Sequence, residues 1–524
     1  MIGQGEIEAR LLEGPNIHFP KPAVELAIDV SRLSEQDLPE RIVTAIAARA
    51  GIDLQTRTSR PTSEILLLAF TWERRGTAEA LADEVVRLLE MQHQDWEGEL
   101  EAASNTVREA DPGGEPEAID PQIPVAAVTG TNGKTTVTRL LAHIGRVAGR
   151  SVSWCNTDGI FLDGETLEEG DWSGPEGAQR AVTAAGAELA VLEVARGGLL
   201  RRGMGVTKVD VAVVTNVSAD HLGEFNISDL DRLADVKTSI LTAVRPQGWA
   251  VINAEDPRVF ARRYRATGGV FVFATDPAAP GLEKVLNARG RVATVEDNWL
   301  VVHHGNGDVT RVIEIVEVPL TLAGVSRANI SNALAATAAA IGLGFTPEQV
   351  AQGLRTFLPD PSQNPGRMNM WELDGKLVVV DYAHNAESLH ALLEVLVALA
   401  KDDAQIWLLI GTAGDRTDEI LEDFAEVGAR GADQLGITEK ERFLRGRTAE
   451  SMVEVMRRGA ARGRKSEVPV YPTELTGLQA YLTAAAPGDV VSVCAHLQRA
   501  EIFTWLDEKG AVPLDNERLR ALLG

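Results

Sequence analysis

One stretch constrains this chain more than any other: the apolar run Val125 to Val128, the turn Gly130-Thr131-Asn132-Gly133-Lys134-Thr135-Thr136, and the amphipathic run VTRLLAHIGRVAG that follows. Strand, glycine-bearing turn and helix in direct succession are the context a phosphate-binding loop requires. Glycines let backbone N–H groups approach phosphate oxygens, and the helix start adds positive potential. Lys134 is placed to neutralise β- and γ-phosphate charge, and the Thr135 hydroxyl to bind Mg²⁺. Val128 stands where the usual motif has its first glycine, so the turn is shortened. The runs AELAVLEVA and DVAVVTNV are near-continuous apolar strands, the kind buried on both faces of a parallel sheet.

The 524 residues, 44% of them hydrophobic, have room for about three domains. The expected fold is α/β throughout. Residues 1–100 read as a small N-terminal α/β domain, with strands at Ala23–Val30 and Glu64–Trp72 and helices at Leu38–Ala50 and Thr77–Gln92. Residues 123–362 read as a central P-loop ATP-binding domain. Residues 363–524 read as a C-terminal Rossmann-like domain with strands KLVVVDYA, AQIWLLIG and DVVSVCA. Between the first two domains, residues 101–122 are expected to be an acidic linker. Residues 95–120 hold nine Asp or Glu against one Arg, which predicts an exposed tether with too little apolar surface to order. Ligands of open α/β sheets bind at the carboxyl ends of the strands, so the reaction site is expected in a cleft between the two larger domains.

The formal charge of −25 opposes nucleic acid as a partner. No apolar run approaches the roughly 20 residues needed to span a bilayer, so no membrane association is expected. The segment MIGQGEIEARLLEGPN lacks the basic and apolar blocks of a signal peptide, which predicts a cytoplasmic protein. Two cysteines, Cys155 and Cys494, make neither a disulfide framework nor a four-cysteine zinc site.

Further signals stand in order along the chain: Glu193 at the end of AVLEVA, Asn216 to His221 (NVSADH), Lys237 in DVKTSI, Asn329 and Asn332 in ANISNALAATAAA, and Asp381 to Asn385 (DYAHN) after Gly366-Arg367. Together with the shortened loop, this order resembles the Mur ligases and folylpolyglutamate synthetases over roughly residues 123–500. Within that family, TDGIFLDGETLEEGDWSGPEGAQ, LEVARGGLLRRGMG, NVSADHLGEFNISDLDRLADVK and GTAGDRTDEI resemble the C-terminal ligase part of cyanophycin synthetases. The early LLEGPNI is similar to the start of their N-terminal domain. Those enzymes carry an ATP-grasp domain between the two parts, where this chain has only the acidic linker. The resemblance therefore implies ligase chemistry without the ATP-grasp step, a possible separate ATP-grasp partner, and a homo-oligomer.

It also implies an ADP-forming ligase, in which a carboxylate is activated by ATP as an acyl phosphate and captured by an amine. Glu193 would hold Mg²⁺, for which carboxylate oxygen is a suitable hard ligand. His221 would hold a second Mg²⁺, with Asp220 orienting it. Lys237 matches the lysine that many Mur ligases carbamylate, a step that needs a neutral amine and hence a burial-lowered pKa. Asn329 and Asn332 share a helix face and could meet an adenine edge; helix-start capping by Asn329 is the alternative. Arg367 and Asp381 would contact the nucleotide, and His384 and Asn385 the acyl phosphate. Thr157, Asp158, Ser173 and Arg196 could face the acyl donor. Asp415 and Arg416, with the Glu439 to Arg447 stretch, could hold the incoming amino acid: arginine, lysine or another, added to an Asp- or Glu-containing acceptor. The arginines at 442, 445, 447, 457, 458, 462 and 464 form either a solvated face or a track for an acidic polymer. Three other readings compete: a poly-γ-glutamate or folate-type ligase, a non-catalytic ATP-binding partner subunit, and a P-loop kinase or motor.

Overall fold

The computed structural model describes residues 7–91, 96–220, 222, 225, 227 and 229–523. Three sheets, each with its own apolar core, run along the chain. The first is antiparallel, ordered Glu8–Leu12, Ala23–Asp29, Ile65–Thr71, Thr56–Ser59. The helices Leu38–Ala50, Arg75–Glu90 and Trp96–Glu109 cover it. The third of these helices corrects the expected tether. Trp96, Leu100, Ala103 and Val107 recur at helical spacing and pack into the core of the first sheet, with Ala103 and Val107 fully buried. The acidic residues occupy the other face, so net charge concealed an apolar stripe. The chain beyond it is also tied down: Gly76 N–H donates to the Pro112 carbonyl (2.9 Å), and Glu117 pairs with Arg75 (2.9 Å).

The central sheet has eleven strands. Its parallel core places Val125–Thr129 between Leu189–Glu193 on one side and Val209–Val214 on the other. Antiparallel hairpins extend both edges. Helices Lys134–Val147, Arg327–Gly342 and Pro347–Thr356 bury one face. Helices Pro175–Val182, Arg196–Arg202 and Leu230–Thr238 bury the other. Double coverage explains why the inner strands read as unbroken apolar runs. The phosphate loop thus leaves the carboxyl end of a central strand, where crossovers depart to both sides.

The last sheet has seven strands, with Lys376–Asp381, Val490–Cys494, Ile406–Ile410 and Gln434–Thr438 parallel at its centre. Helices again cover both faces. Part of the arginine cluster is neutralised within this unit. Arg458 pairs with Asp418 and Glu422 (both 2.8 Å), and Arg462 with Asp423 (2.9 Å) and Glu426 (2.7 Å). At these two positions the run is a paired, solvent-screened surface. Cys155 and Cys494 are free and buried in separate sheets. Among the described residues no helix is long and apolar enough to cross a membrane.

Candidate active site

The phosphate loop is shaped by its glycines. Gly130 and Gly133 have φ of +153° and +86°, and a side chain at either would collide with Thr215 or Asn332. The next strand end braces the loop. Thr131 N–H donates to the Asn216 carbonyl and Asn132 N–H to Asn216 Oδ1, both at 2.9 Å, while the Thr215 hydroxyl donates to the Asn132 carbonyl at 2.6 Å. Thr215 was not singled out from the sequence, although it directly precedes the Asn216 signal.

Glu193 ends the neighbouring strand fully buried, and both its carboxylate oxygens lack a hydrogen-bond partner. Burial raises its pKa, opposed by the Lys134 ammonium and the adjacent Thr135 hydroxyl. A buried carboxylate left in that state costs several kcal/mol unless something compensates it, and a hard divalent cation is the partner its chemistry suits. Glu193 and Thr135 therefore fit Mg²⁺. Among the described residues no group of three or more His, Cys, Asp or Glu side chains is arranged to hold a metal ion. His221, the other expected metal ligand, lies outside the described residues. Lys237 is 5% exposed and donates to the Gly130 carbonyl at 2.7 Å. Burial and then the Lys134 charge hold its ammonium well below the ordinary lysine value, with Asp220 opposing.

Two cavities meet here. The smaller, about 280 Å³, is lined by the phosphate loop, Thr157, Glu193, Asn329, Asn332, Arg367, Asp381 and Tyr382. Asn332 Nδ2 donates to Asn329 Oδ1 at 3.1 Å, and Ser326 rather than Asn329 caps their helix. Arg367 lies over the Tyr382 ring, 4.2 Å from its centroid. Burial raises the Asp381 pKa, opposed first by Arg367, and the carboxylate accepts the Met368 N–H at 2.9 Å. Tyr382 was missed as a candidate because it sits unremarked inside DYAHN.

The larger cavity, about 670 Å³, is lined by Lys134, Ser173, Arg196, Arg201, Arg202, Asp220, Lys237, His384 and Arg445, among others. Thr131, Lys134, Asp171, Ser173, Ala195 and His384 line both, so the boundary between the cavities is where a phosphoryl group could pass from one to the other. The Ser173 hydroxyl donates to Asp171 at 2.6 Å.

Four expected substrate residues are engaged elsewhere. Asp158 pairs with Arg139 (2.6 Å) and Arg499 (2.5 Å). Burial alone would raise its pKa, but these guanidinium groups hold it below the usual carboxylate range. Asn385 caps the helix Ala386–Leu399 and clasps Asn132 across the domain boundary at 3.0 Å. Asp415 and Arg416 pair with each other at 3.1 Å. The same physics applies to all: a charged or polar group withdrawn from water is held by an opposite charge or a hydrogen bond. Within the Glu439 to Arg447 stretch, Lys440 turns inward, is almost fully buried and pairs with Glu474.

Residues 128–340 match the Mur ligase middle domain, and residues 366–497 the Mur ligase glutamate ligase domain. Cyanophycin synthetase of Synechocystis sp. is 37% identical over 344 residues, 66% of this chain but 39% of that protein's length. The match thus spans about two fifths of the curated relative. UDP-N-acetylmuramyl-tripeptide synthetase of Deinococcus radiodurans is 31% identical over 382 residues, covering 71% of this chain and 72% of the relative. Among solved structures, E. coli FolC in complex with DHPP and ADP superposes with a TM-score of 0.56 at 19% identity, over 75% of this chain and 90% of that one; this likeness is one of fold.

Proposed function

This chain belongs to the Mur ligase family, and from that premise we propose that it is an ADP-forming amide ligase of the cyanophycin-synthetase-like branch. Its substrates in this reading are a carboxylate on an Asp- or Glu-containing acceptor and the amine of an amino acid. A carboxylate oxygen attacks the γ-phosphorus, the bond to ADP breaks, the amine adds to the acyl carbon, and phosphate leaves as the amide forms.

The observation that carries the reading is the fully buried Glu193 carboxylate, which has no well-formed hydrogen bond and only Lys134 and the Thr135 hydroxyl to offset its charge, close to where the two cavities join. Mg²⁺ bound there would spread the charge that builds up on the transferring phosphoryl group. Lys134 offsets phosphate charge from the loop side, and Arg196 and Arg201 present cations to an acceptor carboxylate. His384 lines both cavities, so its imidazole would stand beside the acyl phosphate. Asn329 and Asn332 offer amides to the base. Lys237, buried and held towards its neutral form, is suited to carbamylation by CO₂, which would turn it into an anionic ligand facing the metal.

The test is phosphate release from Mg-ATP across a matrix of acyl donors (aspartate, glutamate, short Asp-rich peptides) and amines (arginine, lysine, glutamate). Lys134→Ala is the control and mass spectrometry reads the products. ADP formed with one pair only, and a product weighing both substrates minus water, is the expected result. ATP binding without turnover for any pair would replace the ligase with an ATP-binding partner subunit.

A further inference from the structure

The C-terminal unit crosses to the central one through a charge chain that ends at the large cavity. Asp220 belongs to the central unit, and its side chain is 8% exposed; Arg416 belongs to the C-terminal unit, and its side chain is 3% exposed. Arg416 Nε donates to Asp220 Oδ1 at 3.0 Å, and its Nη2 stands 2.9 Å from the same oxygen in an ion pair. The other oxygen of Asp220 stands 3.4 Å from His384 Nε2. Arg416 Nη1 donates to Asp415 Oδ1 at 3.1 Å, and Asp415 Oδ2 accepts from Arg445 at 2.6 Å. Arg445 lines the large cavity.

The loop that carries Arg416 also braces His384 from behind. The Thr412 hydroxyl donates to the His384 carbonyl at 2.8 Å. Arg447 ties the loop down, donating to the carbonyls of Gly414 (3.0 Å) and Arg416 (2.8 Å). His384 is therefore held both by its own unit and by the far one, and the Arg416–Asp220 pair is the buried charged link beside it; Asn132–Asn385 and Asp158–Arg499 cross between the units elsewhere.

We infer that Arg416 is a positioning residue: its buried pair with Asp220 latches the C-terminal unit against the central one and so sets His384 at the boundary of the two cavities. The inference deepens the ligase reading and rests on it for the location of the chemistry. Arg416 lines neither cavity, so its effect on turnover passes through His384 and through closure. An interaction of this kind is costly to break from one side, because the remaining charge stays buried without its partner. The chain of contacts through Asp415 also joins closure to Arg445, so an anionic group that draws on Arg445 would be sensed at the latch.

The experiment compares wild type, Arg416→Met and Arg416→Lys in three measurements: small-angle scattering with Mg-ADP, ADP affinity by calorimetry, and kcat and KM for phosphate release. Thermal melting checks that each is folded. Arg416→Met is expected to scatter as a more extended particle, keep its ADP affinity, and lose about 10²-fold in kcat, the scale of effect that misplacing a reacting group produces. Arg416→Lys is expected to fall between, because an ammonium cannot bridge Asp220 and Asp415 with a planar fork. A folded Arg416→Met with wild-type scattering and turnover would overturn the latch. So would a loss of ADP affinity equal to the loss of turnover, which would make Arg416 part of the nucleotide site. If Arg416→Met does not fold, a wild-type profile for folded Arg416→Lys would also overturn it. Scattering needs no acceptor substrate: opening in the variants with no turnover in wild type would keep the latch and remove the ligase reading.

Discussion

The two cavities are built by different means. The smaller is shaped largely by backbone: two left-handed glycines, a helix start, and strand ends that supply Glu193 and Asp381. The larger is assembled from side chains that lie far apart in the chain, from Lys134 through Arg196 and Lys237 to Arg445. The phosphate end of the smaller cavity is thus local in sequence, whereas its other walls, at Glu193, Asn329, Arg367 and Asp381, and the whole of the larger cavity are drawn from distant segments. A variant should therefore report which cavity it serves by which parameter it moves.

The largest effect belongs to the lysine that both cavities share. Lys134→Ala is expected to lower kcat/KM for every substrate by about 10³-fold or more, the scale of removing one donor that stabilises charge in the transition state. Phosphate release with ATP and acceptor varied in turn checks it. A loss confined to ATP affinity would break the idea that Lys134 serves both cavities. Next come the two metal-side groups. Glu193→Gln is expected to raise the Mg²⁺ concentration for half-maximal rate by about 10²-fold, read from Mg²⁺ titrations of the rate. Lys237→Met should cost a similar factor in kcat. The pH behaviour of Lys237 has a definite sign. Its folded pKa lies well below 10.5; below that folded value the protonated amine cannot add to CO₂, and above it the neutral amine can. Carbamylation, and the rate with it, should fall as pH drops through the folded pKa and rise with added bicarbonate. Carbon NMR with labelled bicarbonate measures it, and a CO₂-independent rate with no labelled carbamate would remove that role.

The same local-versus-distributed division governs what could be read from the sequence. The phosphate loop, the buried parallel strands and the strand-end position of Glu193 were legible because each is announced by its immediate neighbours. The destinations of Asp158, Asn385 and Arg416 were not. Their partners stand 341, 253 and 196 residues away, at Arg499, Asn132 and Asp220, and no local pattern encodes a pairing over that span. Arg499 was missed for the same reason; Arg139 lies 19 residues from Asp158, on the helix that follows the phosphate loop, and no local pattern marks that pairing. The helix Trp96–Glu109 was missed for another: counting charge over the segment averaged away four apolar residues whose spacing alone carried the signal.

Arg196 serves only the large cavity and offers a cleaner division. Arg196→Ala is expected to raise KM for the carboxylate substrate by about 10-fold, as for loss of one hydrogen bond to a charged group, and to leave ADP affinity unchanged. Steady-state kinetics with acceptor varied at saturating ATP, together with ADP calorimetry, check both halves. An equal loss of ADP affinity would mean that the two cavities act as one.

The smallest expected effect probes the opposite side. Asn332 contacts Asn329, lines the small cavity and stands against Gly133, and it does not line the large one. Its amide offers a donor and an acceptor, which distinguishes adenine from guanine by the order in which the base presents the same pair. Asn332→Ala is expected to raise KM for ATP by about 5-fold, the worth of one neutral hydrogen bond, and to narrow the preference for ATP over GTP, with KM for the acceptor unchanged. Kinetics with each nucleotide at saturating acceptor give both numbers. If ATP and GTP weaken together, Asn332 acts by supporting the loop at Gly133 rather than by reading the base, and the small cavity owes its selectivity to the backbone alone.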